Sequence, residues 1–308
     1  MRIAVCVATF NRPDGLQGVL DGLAAQDLPA GLAEGLSVVV VDNSPEGNAG
    51  PLVAAAGQAC GYPLRYVHEP RRGISNARNA ALDSTGDADF VAFLDDDEIP
   101  APDWLRRLAD AQRRNDADVV AGPVLPVFVQ PPPRWLATGR FLDPVRHPDG
   151  AAIAVAYTGN VLFRRALVTA AGIRFSEALG LIGGEDIDFF DRLRAAGADL
   201  RFCDGAVVFE TIPEHRATLR WLLRRWFRTG NSEAIIYMDR HRGTIGRFVV
   251  AGRGTLRITL GLALLGVLAM VAGLGRRHWI IARLYTVARG MGMLSSAFNL
   301  HYHEYTQS

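Results

Sequence analysis

The sequence predicts an α/β fold with a mostly parallel sheet and flanking helices, followed by a basic, apolar helical tail. Three observations carry this. Short β-branched runs alternate with helical stretches over residues 1–120, the order that builds a parallel sheet. The fourth of these runs, Phe90–Leu94, ends in the consecutive acids Asp95, Asp96, Asp97 and Glu98. Such acids would emerge at the C-terminal edge of a strand, where open α/β sheets bind ligands. Finally, residues 258–275 carry no charge.

The elements follow in order. Arg2–Ala8 is a β-rich run, read as a first strand and not as a signal peptide, since no basic segment precedes an apolar one. Pro13 suits the first helical position, so a helix is expected from there to about Gln26. Ser37–Val41 is continuously apolar after its serine, as a strand covered on both faces requires. Leu64–His68 is a third strand, Ser75–Leu82 a helix opened by a serine cap, and Phe90–Leu94 the fourth strand. Trp104–Arg114 is expected to be helical and Val119–Val129 extended. Pro131–Pro133 and the Gly/Pro-rich stretch to Gly150 read as a loop, followed by strands and turns around Ile153–Phe163. A helix should run from Glu185 to about Ala196, with Gly197 closing it. The chain divides on this reading into a domain over 1–230 and a helical region over 231–308.

Composition sets limits. A chain of 308 residues, 49% apolar, holds roughly one to two domains. Cys6, Cys60 and Cys203 are odd in number and far apart, which favours reduced thiols in a cytosolic domain. All 33 basic residues are arginine, and the net charge of +1 conceals an asymmetry. Residues 1–200 hold 18 Arg and 26 Asp+Glu (net −8), residues 201–308 hold 15 Arg and 6 Asp+Glu (net +9), and the two sum to +1. A basic rear half suits an anionic surface; no nucleic acid is expected as a partner. No Gly-x-Gly-x-x-Gly follows the first strand and no Gly-Lys-Ser/Thr loop occurs, so dinucleotide-binding dehydrogenases and P-loop enzymes lose support.

Clustered acids at a sheet edge repel one another unless a positive group sits among them. Mg²⁺ or Mn²⁺ carrying a diphosphate fits, because hard cations share oxygen ligands with phosphates. A solvated acidic loop leading into the helix after Pro102 is the plain alternative. A second acidic site, Gly183-Gly184-Glu185-Asp186, pairs two permissive glycines with two acids at a helix start.

Taken together, several segments resemble the family-2 glycosyltransferases of GT-A fold. They are Val-Ala-Thr-Phe-Asn-Arg (7–12), Val-Asp-Asn-Ser (41–44), Arg-Gly-Ile-Ser-Asn-Ala-Arg-Asn (72–79), Phe-Leu-Asp-Asp-Asp-Glu (93–98), Thr-Gly-Asn (158–160), Gly-Gly-Glu-Asp (183–186) and Leu-Arg-Arg-Trp (223–226). Each is weak alone and specific in this order, and the nearest flavour is that of bacterial exopolysaccharide enzymes of the succinoglycan type. The resemblance implies a site. Thr9, Asn11 and Arg12 would offer donors at the ligand edge, with helix capping as their plain role. Asp42 would accept the uracil N3–H, or merely form an Asp-Asn-Ser turn. Arg72, Gly73 and Arg78 would flank the diphosphate, with Arg71 a surface charge. Asp95 and Asp97 fit the Asp-x-Asp metal pattern, Asp97 as direct ligand, with Asp96 as the alternative register and Glu98 capping the next helix. Asp186 would be the general base of an inverting transfer, with Glu185 orienting the acceptor. Arg225 and Trp226 match an Arg-Trp pair of the family, although Trp226 serves equally as a core aromatic. Leu222 stands where processive synthases of the family carry Gln, which favours addition of a single sugar.

The tail speaks to membranes. Arg216, Arg220, Arg224 and Arg228 recur every four residues along a helix with Leu219, Leu222, Leu223, Trp226 and Phe227, as in helices that lie on anionic surfaces; a solvated face over a core gives the same pattern. The uncharged 258–275 would extend roughly 27 Å against a hydrocarbon core of about 30 Å. Arginines flank both ends, Arg240, Arg242, Arg247, Arg253 and Arg257 before and Arg276 and Arg277 after, so the positive-inside rule gives no orientation. Trp279–Phe298, interrupted by Arg283 and Arg289, is expected as an interfacial helix or the return of a hairpin; burial against a partner subunit, in an oligomer, is the alternative. The expected function is an inverting, metal-dependent transfer of one sugar from a nucleotide donor, UDP-linked, to a lipid-linked polyprenyl saccharide at the cytoplasmic face of the inner membrane. The alternatives are a nucleotide-sugar pyrophosphorylase, which wants a Gly-rich, Lys-bearing loop where this chain has Thr-Phe-Asn-Arg, and a non-catalytic polysaccharide-assembly scaffold.

Overall fold

The computed structural model describes residues 1–241, 243–271 and 277–302. Of the expectations for the tail, Arg242, Arg276 and the end of the uncharged stretch, 272–275, lie outside the described residues. In order, the elements are β1 (Ile3–Thr9), α1 (Pro13–Ala24), α2 (Ala30–Ala33), β2 (Leu36–Asp42), α3 (Gly50–Ala59), β3 (Leu64–His68), α4 (Ile74–Asp83), β4 (Phe90–Asp95), β5 (Glu98–Pro100) and α5 (Trp104–Asn115). Then follow β6 (Val119–Ala121), β7 (Val124–Phe128), α6 (Arg134–Gly139), β8 (Val161–Arg164), α7 (Arg165–Ala171), α8 (Glu185–Ala195), β9 (Leu200–Phe202), β10 (Val208–Ile212), α9 (Leu219–Arg240), α10 (Thr244–Val271) and α11 (Arg277–Ala297).

The chain forms two compact units. The first comprises Met1–Val127, Pro144–Gly180 and Glu185–Thr211; the second comprises Phe128–Asp143, Leu181–Gly184 and Ile212–Ser308. The cut does not fall at residue 230, because α9 crosses that position as one uninterrupted helix.

A seven-stranded sheet, ordered β3-β2-β1-β4-β8-β6-β9, forms the centre of the first unit. β1 pairs in parallel with β2 and β4, in a register that sets Thr9 beside Asp42 and Ala8 beside Asp95. The ends of three strands therefore share one edge. β8 runs antiparallel to both β4 and β6, so the sheet is mixed. β1, β2 and β4 are buried almost throughout, which explains their unbroken apolar runs. The sheet separates two apolar clusters. One gathers Leu16, Leu20, Trp104 and Leu108; the other gathers Phe93, Phe163, Phe175, Phe189 and Phe190, with Phe175 and Phe189 stacked 4.1 Å apart. A smaller sheet, β5-β10-β7, completes the α/β architecture.

Some expectations are refined here and others give way. Val119–Val129 is two strands, interrupted at Gly122 and Pro123, because Pro cannot continue a ladder. Ser75 does not cap α4: Gly73 stands at its N-cap with φ +127°, and the Ser75 hydroxyl donates to the Ser176 carbonyl. Glu98 does not cap α5; it is a buried residue of β5. The Pro-rich stretch after Pro133 contains α6.

In the second unit, α11 packs against both α9 and α10, so the chain returns as a hairpin. Glycines allow the close approach: a Cβ on Gly292 would overlap the Phe227 carbonyl, and one on Gly230 the Arg289 carbonyl. Arg289 pairs with Glu233 of α9 and with Tyr285, so this arginine serves an internal tie and not a membrane interface. Helix α10 spans 28 residues, about 42 Å. Its stretch Thr244–Leu268 is long and apolar enough to cross a membrane, and only 17% of its apolar 18-residue segment is buried, unlike a core helix.

Candidate active site

The acids after β4 turn three different ways. Asp96 points into the protein, accepting from the Thr9 hydroxyl (2.8 Å), from Arg12 (2.9 Å) and, at 3.4 Å, from the Phe10 amide. Burial pushes its pKa up to about 6, against the pull of Arg12 and the Thr9 hydrogen bond, with Asp97 and Asp95 adding to the rise. Asp95 and Asp97 remain the accessible pair, with side chains 40% and 26% exposed against 8% for Asp96. Arg12 also reaches Asp97 at 2.9 Å. Thr9 and Arg12 thus belong to the acidic turn itself, which answers the question of what positive group sits among clustered acids.

Glu98 reaches back to accept from the Asp95 amide at 3.0 Å. It is 5% exposed, and burial, then Asp95, hold its pKa well above the usual range. Gly159 is the reason there is room: a Cβ there would overlap Glu98 Oε1. Neither role announces itself in the sequence; the only signal was Thr-Gly-Asn, whose Asn160 is fixed by Trp104 Nε1 (2.8 Å) and by the Pro123 and Ala206 carbonyls.

Arg78 ties the two acidic motifs together. Its guanidinium, 5% exposed, bonds Asp95 at 2.9 Å and also pairs with Glu185 at the start of α8. Arg78, expected from the resemblance to flank the diphosphate, is thus buried between acids. Glu185 is likewise buried; desolvation raises its pKa to about 7, with Arg78 opposing. Its Oε2 has no hydrogen-bond partner among the described residues. Its side chain, 6% exposed, faces Arg78. Asp186 is half-buried; its Oδ1 accepts from the Ile187 amide at 2.7 Å, and burial raises its pKa against the pull of Arg78. Gly183 and Gly184, at φ +88° and +91°, make the turn into this helix, a conformation that side-chain-bearing residues resist.

The other expected residues divide. Asp42 is 1% exposed and spends its oxygens on the Ser44 amide and hydroxyl, the Ala49 amide and Tyr66 Oη, which fills the lone-pair positions of a carboxylate. The turn reading thus describes its present bonds. Asn43 clamps the next loop by accepting from the Gly73 amide at 3.0 Å, so that amide is engaged too. Arg72 lies 5.1 Å over the Phe10 ring at the same strand edge. Asn11 holds a left-handed conformation (φ +52°) and accepts from Asn48. Arg71 pairs with Glu69 as a surface charge. Arg225 and Trp226 belong to the second unit, where Trp226 is buried against Phe141 and Tyr285 and Arg225 stacks on Trp221.

Oxygen donors alone suit a hard cation. Among the described residues no group of three or more His, Cys, Asp or Glu forms a metal cage. Mg²⁺ is commonly held by one or two carboxylates plus substrate phosphates, so the accessible Asp95 and Asp97 fit such an ion arriving with a diphosphate.

A mixed sheet with acids and arginines gathered at the ends of β1 and β4 and the start of α8 defines a glycosyltransferase of GT-A fold. The chain belongs to glycosyl transferase family 2, whose model matches residues 4–170, and the model of glycosyl transferase family group 2 matches 90–293. It is 39% identical to succinoglycan biosynthesis protein ExoM of Rhizobium meliloti, over 79% of this chain and 77% of that one. In fold it is similar to the mannosyltransferase PcManGT of Pyrobaculum calidifontis, solved with GDP-Man and Mn²⁺ (TM-score 0.64, 20% identity, 96% and 87% of the two chains). It is also similar to residues 1–349 of S. aureus TarS in complex with UDP (TM-score 0.55, 16% identity, 100% and 94%). Family membership displaces the pyrophosphorylase and scaffold readings.

Proposed function

We propose that this glycosyltransferase adds a single sugar, with inversion, from a nucleotide donor to a lipid-linked polyprenyl saccharide during exopolysaccharide-type biosynthesis at the cytoplasmic face of the inner membrane. The observation that carries the chemistry is the convergence of Asp95, Arg78 and the Glu185-Asp186 helix start at one place. The acceptor hydroxyl gives its proton to Asp186 as its oxygen bonds the anomeric carbon. The bond from that carbon to the diphosphate breaks in the same step, its electron pair leaving with the diphosphate. Asp186 forms no covalent bond.

The donor would lie along the strand ends, with Arg72 beside its phosphates. The UDP reading follows the family resemblance at Asp42, where a uracil N3–H would replace one of the present donors, the Tyr66 hydroxyl at 3.2 Å being the longest. Asp95 and Asp97 would hold Mg²⁺ or Mn²⁺, which supplies positive charge for the departing diphosphate. Membrane docking is supported by the exposed α10 and by the basic rear half.

The test is Asp186→Asn, which keeps shape and cannot take a proton. Turnover should fall about 10²–10⁴-fold with donor affinity nearly unchanged. Near-normal turnover would remove Asp186 as base.

A further inference from the structure

Within the second unit, α9, α10 and α11 border an open cavity of about 350 Å³ lined by Glu233, Tyr237, Arg253, Leu256, Arg257 and Met293. Its charge is one-sided. The single lining carboxylate, Glu233, is already paired with Arg289. Arg253 lies 4.7 Å over the Tyr237 ring, and among the described residues neither Arg253 nor Arg257 has a carboxylate partner. Two guanidiniums one helical turn apart thus line a pocket whose one carboxylate is already engaged, beside a phenol that can donate. The rim is apolar and outward: Leu256 is 64% exposed and Leu260, one turn further along α10, 53%.

We infer that this cavity binds the phosphate head of a membrane lipid, with the hydrocarbon chain leaving along Leu256 and Leu260. Guanidinium forks match phosphate oxygens, and basic pockets between membrane-associated helices take lipid head groups. The adjoining leucines favour a lipid over free phosphate, because an inorganic ion gains nothing from them. The inference rests on the membrane-docking part of the proposed function and assigns it a specific ligand.

The full-length protein is tested against vesicles of phosphatidylcholine alone, of phosphatidylcholine with phosphatidic acid, and of phosphatidylcholine with phosphatidylglycerol at equal total charge. Wild type should prefer phosphatidic acid, whose phosphomonoester is open to two arginines. Arg253→Gln/Arg257→Gln should lose that preference, about tenfold in affinity, the worth of one or two charge-assisted hydrogen bonds, while still binding neutral vesicles through α10. Arg220→Gln/Arg224→Gln on α9 should weaken both charged vesicles alike and leave the preference intact. The inference is overturned if the α10 variant keeps the preference, or if the α9 variant abolishes it. It is also overturned if inorganic phosphate displaces the protein as well as lipid does, which would make the site one for free anions. Neutral-vesicle binding with no phosphate preference sinks this inference alone, whereas failure to bind any vesicle sinks the docking reading with it.

Discussion

Glu98 and Gly159 illustrate how a residue with no reactive role shapes a reactive turn. The Glu98 carboxyl holds the Asp95 amide, and the absent side chain of Gly159 leaves it space. Gly159→Ala should cost about 1–3 kcal/mol, the usual price of overpacking, and weaken donor binding by disturbing the turn. Adding Glu98→Ala should restore part of the stability, since the clash partner is gone; strictly additive losses in urea unfolding would refute the pairing. The metal assignment has its own test: Asp97→Ala should abolish metal-dependent donor binding, and unchanged affinity with unchanged metal dependence would count against it. The raised acids also set a pH dependence. Glu185 is held near 7 against an ordinary 4.5, so the folded state binds its proton more tightly than the unfolded chain. That stability is fully present below about 4.5 and is lost as pH rises through 7; Asp96, raised to about 6, acts in the same direction. Urea midpoints for wild type should fall over this window, and Glu185→Gln should flatten the fall. An equally steep fall in the variant would show that other groups carry it.

At the scale of elements, Arg78 is the fastening between α4, β4 and α8. Arg78→Met should destabilise the protein by about 3–5 kcal/mol, as breaking a buried pair does, because Asp95 and Glu185 would lose a shared partner; a change under about 1 kcal/mol would mean water already screens them. Its helix was legible in the sequence, as were β1 to β4, α1, α5 and α8, because apolar runs and periodic faces mark elements against a large core. Helix α3 was not, since Val53 is its one buried residue in an alanine-rich stretch. The three-residue β9 is too short to show a period, β10 shows none because its Phe209 is exposed and its middle residues are polar, and the antiparallel sense of β8 is set by partners distant in the chain. The acids of the site were legible as a cluster. Their division of labour was not, because it depends on which way each turns: Asp96 toward Thr9, Glu185 toward Arg78, Asp42 into its own turn. Burial settles such choices, and a run of like residues does not encode it.

For the molecule as a whole, the acidic front and basic rear now have structural addresses. The second unit carries exposed Ile245, Phe248, Leu256, Leu260, Leu262 and Val267 on α10. Replacing Phe248, Leu256 and Leu260 by Gln should release the protein from neutral vesicles while sparing donor binding; undiminished sedimentation with vesicles would assign attachment elsewhere. Deleting everything after Arg253 would instead remove α11 and strip the Gly292 face from Phe227 of α9. That seam has another consequence. Where helices meet backbone to backbone, over Gly230 and Gly292, close contact adds to the burial of Leu222, Trp226, Ile281 and Ala288 between the same two helices. Such a joint lies inside the bundle, away from whatever solvent bathes the outer face. If the second unit docks on lipid as proposed, this contact would not have to open when the protein arrives or leaves, in the manner of an amphitropic enzyme.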